Sequence, residues 1–268
     1  MIDRGARNVV GLRMCAVDYQ FAVSRIIECA KANERCTVSA LAVHGVMTGA
    51  LDSIHRYRLN HLDLVVPDGH PVRWALNLLH GAKLRDVVFG PRLTYLVCEE
   101  AARQGVPVYF YGSVEDTLEK LRANLLQRFP SLIIAGSEPS RFRNLTEEEQ
   151  QDAAERIRNS KARVLFVGLG CPRQEVFAYE MGNLLPMPIL AVGAAFDYHA
   201  GLLKDSPRFL ERMGLRWLHR LVQEPRRLWR RYLVTNTQFV LLFCAQWLHL
   251  WKPDLQRVMK PSTDIRFG

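Results

Sequence analysis

Residues 164–175 read VLFVGLGCPRQE. An apolar, partly β-branched run enters Gly168 and Gly170, meets Pro172, and gives way to a helical pattern from Arg173. A strand that ends in glycines and turns straight into a helix is the repeating unit of a doubly wound α/β fold. Its glycines let backbone amides approach a phosphate or a nucleobase at the helix N-terminus. The spacing is not the dinucleotide fingerprint, because the third glycine falls due at position 173, which is Arg173. Nor is it the Walker phosphate loop. Gln174 and Glu175 either contact a ribose or base or sit on an exposed first turn.

The same alternation extends outward along the chain. Strand-like runs fall at 37–43, 62–66, 106–111, 132–135, 163–168 and 188–192. Helical patterns fall at 72–79, 92–104, 114–129, 146–160 and 173–181, the fourth opening on a capping box of Thr146 and Glu149. Strands alternating with helices predict an α/β fold, a Rossmann-like parallel sheet with helices on both faces and ligands at the carboxyl ends of the strands. From Lys204 to Tyr232 nine Lys or Arg face three Asp or Glu, with Trp217 and Trp229 among them. That shift predicts an α/β core over 1–203 and a basic helical C-terminal appendage over 204–268.

Bulk composition narrows the classes. The chain has 268 residues, 49% of them hydrophobic and 24% charged, which suits a globular protein with a substantial core. A net charge of +9 predicts a polyanionic partner: nucleic acid, an anionic membrane or a phosphorylated substrate. The six cysteines show no CxxC spacing, so reduced thiols in a cytosolic protein are expected, with no zinc site. Charges occupy the N-terminus where a signal peptide needs apolar residues, so export is not expected. The apolar run at 239–251 is too short to span a bilayer and carries Gln246 and His249.

Several strand ends carry candidate chemistry. LVVPDGHPVRW, residues 64–74, puts Asp68 at a strand tip, with Pro67 fixing the approach and Gly69 permitting close passage of a ligand. A carboxylate there suits a general base, although an Asp-Gly turn explains the same letters. In AVGAAFDYHAG, residues 191–201, Gly193 leaves room for a ligand and Asp197 between aromatics suits sugar hydroxyls. YFYGS, residues 109–113, ends a strand at Tyr111 and Gly112 and offers part of a nucleotide site. In RWLHRLVQEPRRLWRRYL, residues 216–233, Arg220, Arg227 and Arg230 share one face if the helix is continuous, and Pro225 stands where it would break. Such a face suits a diphosphate, with the tryptophans at a bilayer interface.

Five motifs in order, VVPDGHPV, YFYGS, VGLGCPRQE, AVGAAFDYHAG and LRWLHRLVQEPRRLWRRYL, resemble the WecB/TagA/CpsF family of bacterial glycosyltransferases over about residues 62–233. The resemblance implies an inverting transferase that moves a sugar from a UDP-sugar to a polyprenyl-diphosphate-linked acceptor in surface polysaccharide synthesis. It would be peripheral on the inner face of the cytoplasmic membrane. It also implies Asp68 as catalytic base, Gln174 near the active site, and Arg220, Arg227 and Arg230 as functional arginines of an appendage that closes the site. The chain departs from the family pattern at His44, where an Asn is usual, at Ala42, near a usual Thr, and around Gly90, where GPRL puts Arg92 in place of an acid. These departures put an N-acetylmannosamine donor in question, and the stretches PDGHPVRWAL and EPRRLWRRYL resemble the family's exopolysaccharide branch. No DxD-type acidic pair stands at a strand end, so no metal or other cofactor is expected, and helix-terminal amides with the arginines are expected to steady the leaving diphosphate. An apolar C-terminal surface permits a homo-oligomer. Two rivals, a nucleic-acid-binding protein and a non-catalytic membrane adaptor, explain the basic tail but leave the strand-end glycines and acids without purpose.

Overall fold

Six short apolar runs lie side by side in the computed structural model, which describes residues 1–255, 258–261 and 266–268. An antiparallel hairpin precedes them, β1 (Asp3–Val9) and β2 (Leu12–Val17), followed by α1 (Tyr19–Ala32). Then come β3 (Cys36–Leu41), α2 (Val43–Leu51), α3 (Ser53–Asn60), β4 (Leu64–Pro67), α4 (His70–His80), α5 (Gly90–Gln104), β5 (Val108–Gly112), α6 (Glu115–Arg128), β6 (Ile134–Glu138), α7 (Glu147–Asn159), β7 (Val164–Gly168), α8 (Arg173–Met181), β8 (Pro188–Ala191) and α9 (Ala195–His199). Three further helices close the order: α10 (Arg208–Arg212), α11 (Arg216–Gln223) and α12 (Pro225–Trp247). The predicted α/β fold is what is found: a six-stranded sheet, all parallel, in the order β4-β3-β8-β7-β5-β6.

Successive strand residues point to opposite faces, which divides the interior in two. Leu41, Val65, Tyr111, Leu165 and Ile189 enter the core cluster on one face, and Val38, Val66, Phe110, Phe166 and Leu190 the cluster on the other. Both clusters are fully covered, which is why the strands read as continuous apolar runs.

Apart from the short α9, the elements that the periodicity did not predict lie in the N-terminal third. The hairpin turns through Val10 and Gly11, both at positive φ, the geometry that suits the twist of paired strands. Asp18 caps α1 by accepting from the Phe21 amide at 2.9 Å. The predicted strand at 37–43 ends earlier, at Leu41, because α2 begins at Val43. Gly49 lets α2 approach closely, since a Cβ there would lie 2.6 Å from Leu59 and 2.9 Å from Leu12.

The basic tail is not one continuous helix. Glu224 leaves helical geometry at φ −132° and Pro225 occupies the first turn of α12, where its missing N–H costs nothing. The face proposed for Arg220, Arg227 and Arg230 is therefore divided between α11 and α12. Helix α12 runs along α2 and inserts Phe239, 3% exposed, into the first core cluster. Near its end Gln246 accepts from the Val10 amide at 2.8 Å and donates to the Asn8 carbonyl at 2.9 Å, which fastens the helix to the hairpin turn. Among the described residues no helix is long and apolar enough to cross a membrane.

Candidate functional site

The carboxyl ends of β3, β4, β7 and β8 open into a cavity of about 630 Å³, and α11 and α12 form its other wall. In open parallel sheets this is where ligands bind. Asp68 follows β4 directly, its amide donating to the Leu41 carbonyl of β3 at 3.2 Å. Its Oδ2 accepts from the Gly90 amide at 3.2 Å. Gly90 is the first residue of α5, so that donor sits at the positive end of a fifteen-residue helix. Any larger residue there is crowded, since a Cβ would meet the Val192 carbonyl at 3.3 Å. Burial pushes the Asp68 carboxyl up to about 6, against the Gly90 amide and the guanidiniums of Arg216 and Arg220, which pull it down. A half-buried carboxylate that ionises near neutrality meets the requirement for a general base.

Gln174 and Glu175 are buried, at 5% and 1% exposure, so they do not sit on an exposed turn. Gln174 accepts from the Gly170 amide at 3.1 Å and donates to Glu175 Oε1 at 2.8 Å, and the Ser39 hydroxyl donates to the same oxygen at 3.2 Å. This chain locks the β7–α8 turn to β3. Gly193 must be glycine for the same reason: at φ +52° its Cβ would fall 2.7 Å from Gln174 Oε1. Burial raises the Glu175 carboxyl, while its hydrogen bonds from Gln174 and Ser39 oppose the shift. Asp197 lines the same space and is raised by burial, against Arg220.

The structure brings to this cavity wall Asp68, Gly69, His44, Gly168, Gly170, Gln174, Glu175, Gly193, Asp197, Arg220 and Arg227. Gly90 touches the site through Asp68. Four predicted residues are not brought there. Tyr111 points into the core, 1% exposed, stacked on Phe177 with ring centroids 4.6 Å apart. Gly112 faces the backbone of Gly168 on the next strand. Arg92 is exposed, its guanidinium 5.0 Å from the centroid of the Tyr95 ring. Arg230 is exposed on the outer side of α12.

Two arginines that sequence reasoning passed over do reach the cavity. Arg216 lies 4.0 Å over the Phe89 ring and pairs with Glu211 at 2.6 Å. Arg231 takes the place expected for Arg230. With Arg227 on the cavity side, helical spacing puts both 230 and 231 within reach of the same face, and the rotation of α12 that packs Phe239 into the core brings Arg231 to it. Arg220 and Arg227 share Glu224, at 3.4 and 2.6 Å. Among the described residues no three His, Cys, Asp or Glu side chains come together in a way that could hold a metal ion.

An N-acetylglucosaminyldiphosphoundecaprenol N-acetyl-beta-D-mannosaminyltransferase of Bacillus spizizenii is 30% identical over 176 residues, 65% of this chain and 66% of that protein. The chain thus matches just under two thirds of that relative's length. The model of the glycosyl transferase WecG/TagA/CpsF family matches residues 7–253, and the chain belongs to that family.

Proposed function

We propose that the chain transfers a sugar from a UDP-sugar to a polyprenyl-diphosphate-linked acceptor, with inversion at the anomeric carbon, in the synthesis of a bacterial surface glycan. The observation that carries this reading is Asp68, a carboxylate poised near pH 6 on the wall of the cavity at the sheet's carboxyl edge. Asp68 takes the proton of the acceptor hydroxyl as its oxygen attacks the anomeric carbon from the face opposite the UDP. The C–O bond to UDP breaks, and the electron pair leaves on the diphosphate. Arg220 and Arg227 face that space from the tail and offset the charge that builds there, with no metal step invoked. The related mannosaminyltransferase is named for an undecaprenyl-diphosphate-linked N-acetylglucosamine acceptor, which supports a lipid-linked acceptor here. Of the two departures from the family pattern, His44 lines the cavity and can bear on donor choice, whereas the exposed Arg92 lies outside it.

The outer side of the tail supports contact with an anionic membrane. Trp229, Leu233 and Leu241 are 56%, 64% and 65% exposed, beside the exposed Arg226 and Arg230. Tryptophans with arginines on an amphipathic helical surface suit the headgroup region. On this reading the protein works at the inner face of the cytoplasmic membrane.

Incubation with a short-chain polyprenyl acceptor and a panel of UDP-sugars, read by mass spectrometry, tests the proposal. Addition of one sugar with release of UDP is expected, and no adduct from any donor discards it. Because the base must be ionised, kcat/KM is expected to rise about tenfold per pH unit below 6 and to level above it. A flat profile between pH 5 and 7 removes Asp68 from the role. Arg227→Ala is expected to slow transfer roughly tenfold or more, the usual weight of a charge-assisted hydrogen bond. An unchanged rate separates the tail from the chemistry.

A further inference from the structure

Four arginines line the cavity, and three of them are partnered: Arg216 by Glu211, and Arg220 and Arg227 by Glu224. Arg231 pairs with no carboxylate among the described residues. Its Nε is buried without a hydrogen-bond partner. A largely buried guanidinium stays charged, and leaving that charge uncompensated is expensive. Burial already pulls its pKa down.

Across from Arg231 stands the start of α2, where Ala42, Val43, His44 and Gly45 all face the cavity. No side chain caps this nine-residue helix at its N-terminus. His44, in its first turn, also has a buried Nδ1 with no partner. Burial and the Arg231 charge hold the His44 imidazole down at about 4, so near neutrality it is uncharged and offers one N–H. A free guanidinium, an imidazole N–H and the open end of a helix are donors that converge from different elements. A phosphate, with several oxygens in tetrahedral array, can accept from all of them at once.

Resting on the donor and acceptor reading above, we propose that Arg231 and His44 form a phosphate subsite, at which the diphosphate of one of the two substrates is held. The subsite explains why a cavity already holding three paired arginines keeps a fourth without a carboxylate partner among the described residues.

Isothermal titration of the full chain with inorganic pyrophosphate and with UDP, for the parent, Arg231→Gln, Arg231→Lys and His44→Gln, tests this. Arg231→Gln is expected to weaken pyrophosphate roughly 10- to 100-fold, and Arg231→Lys, which keeps the charge without the fork, less. If UDP weakens in parallel, the donor's diphosphate occupies the subsite. If UDP is unaffected and the KM for the lipid-linked acceptor rises instead, the acceptor's does. Equal pyrophosphate affinity in the parent and all variants overturns the proposal. His44→Gln lies outside the tail and carries the same comparison should Arg231→Gln fail to fold. A parent that binds pyrophosphate but neither binds UDP nor transfers any sugar sinks the glycosyl-transfer reading and leaves the subsite standing.

Discussion

Asp68→Asn is expected to lower kcat by roughly 10²- to 10⁴-fold, the usual contribution of a general base, while the affinity for UDP stays within about twofold of the parent. The amide keeps the shape of the carboxyl and can still accept from the Gly90 amide, which now holds Oδ2 at 3.2 Å. What it cannot do is take a proton. The same variant carries a stability signature that separates loss of the base from loss of the fold. Burial raises Asp68 from 3.8 to about 6. The favourable contribution of its neutral form is therefore complete below about 3.8 and lost as pH rises through 6. Asparagine has nothing to ionise. The melting temperature of the variant, relative to the parent, is thus expected to rise between pH 5 and 7. A variant that loses turnover and melts lower than the parent at pH 8 has been damaged structurally, and the argument for the base fails with it.

The sheet was legible because burial on both faces leaves its strands as unbroken apolar runs, and 164–168 and 188–191 could be read almost to the residue. Helix α2 was not, since Gly45 and Gly49 are poor helix formers, although they serve close packing against Leu41, Leu59 and Leu12. The hairpin was hidden by DRGARNV, a strand whose exposed face carries charges with no clean alternation. At the site, acids and glycines at or just past strand ends were found because they are unusual there: Asp68, Gly168, Gly170 and Gly193 all reach the cavity. Tyr111 and Gly112, at the end of β5, do not. Tyr111 is one step from the end of β5, and one step in a strand is the opposite face. In the tail the doublet at 230 and 231 offered two registers. The break at Glu224 turns α12 so that Arg231 faces inward, a rotation set by packing of Phe239 against the core and invisible in local sequence.

Gly112 shows how a glycine beside a candidate site can serve the site through packing alone. It pairs in register with Gly168 of β7, and the Ser113 amide donates to the Gly168 carbonyl at 3.0 Å. Its φ is +115°, and a Cβ would sit 2.8 Å from both the carbonyl carbon and oxygen of Gly168. Those are backbone atoms of a central strand and have little freedom to yield. Gly168 is itself pinned, since a Cβ on it would lie 2.6 Å from the Phe196 ring. Gly112→Ala therefore adds strain at a sparsely populated backbone angle, of about 1–3 kcal/mol, to overpacking of about 1–3 kcal/mol. Against a total stability on the order of 5–15 kcal/mol, the melting temperature is expected to fall by roughly 10 °C. Gly105→Ala is the matched control. Gly105 also has a positive φ, +65°, but a Cβ there meets nothing within 4 Å, so only the backbone strain remains and the loss is expected to be smaller by half or more. If Gly112 were instead kept free of a side chain to admit a nucleotide, Gly112→Ala would melt with the parent and lose UDP binding. The close approach of β5 to β7 requires the reverse: a large fall in melting temperature, with UDP affinity per folded molecule retained.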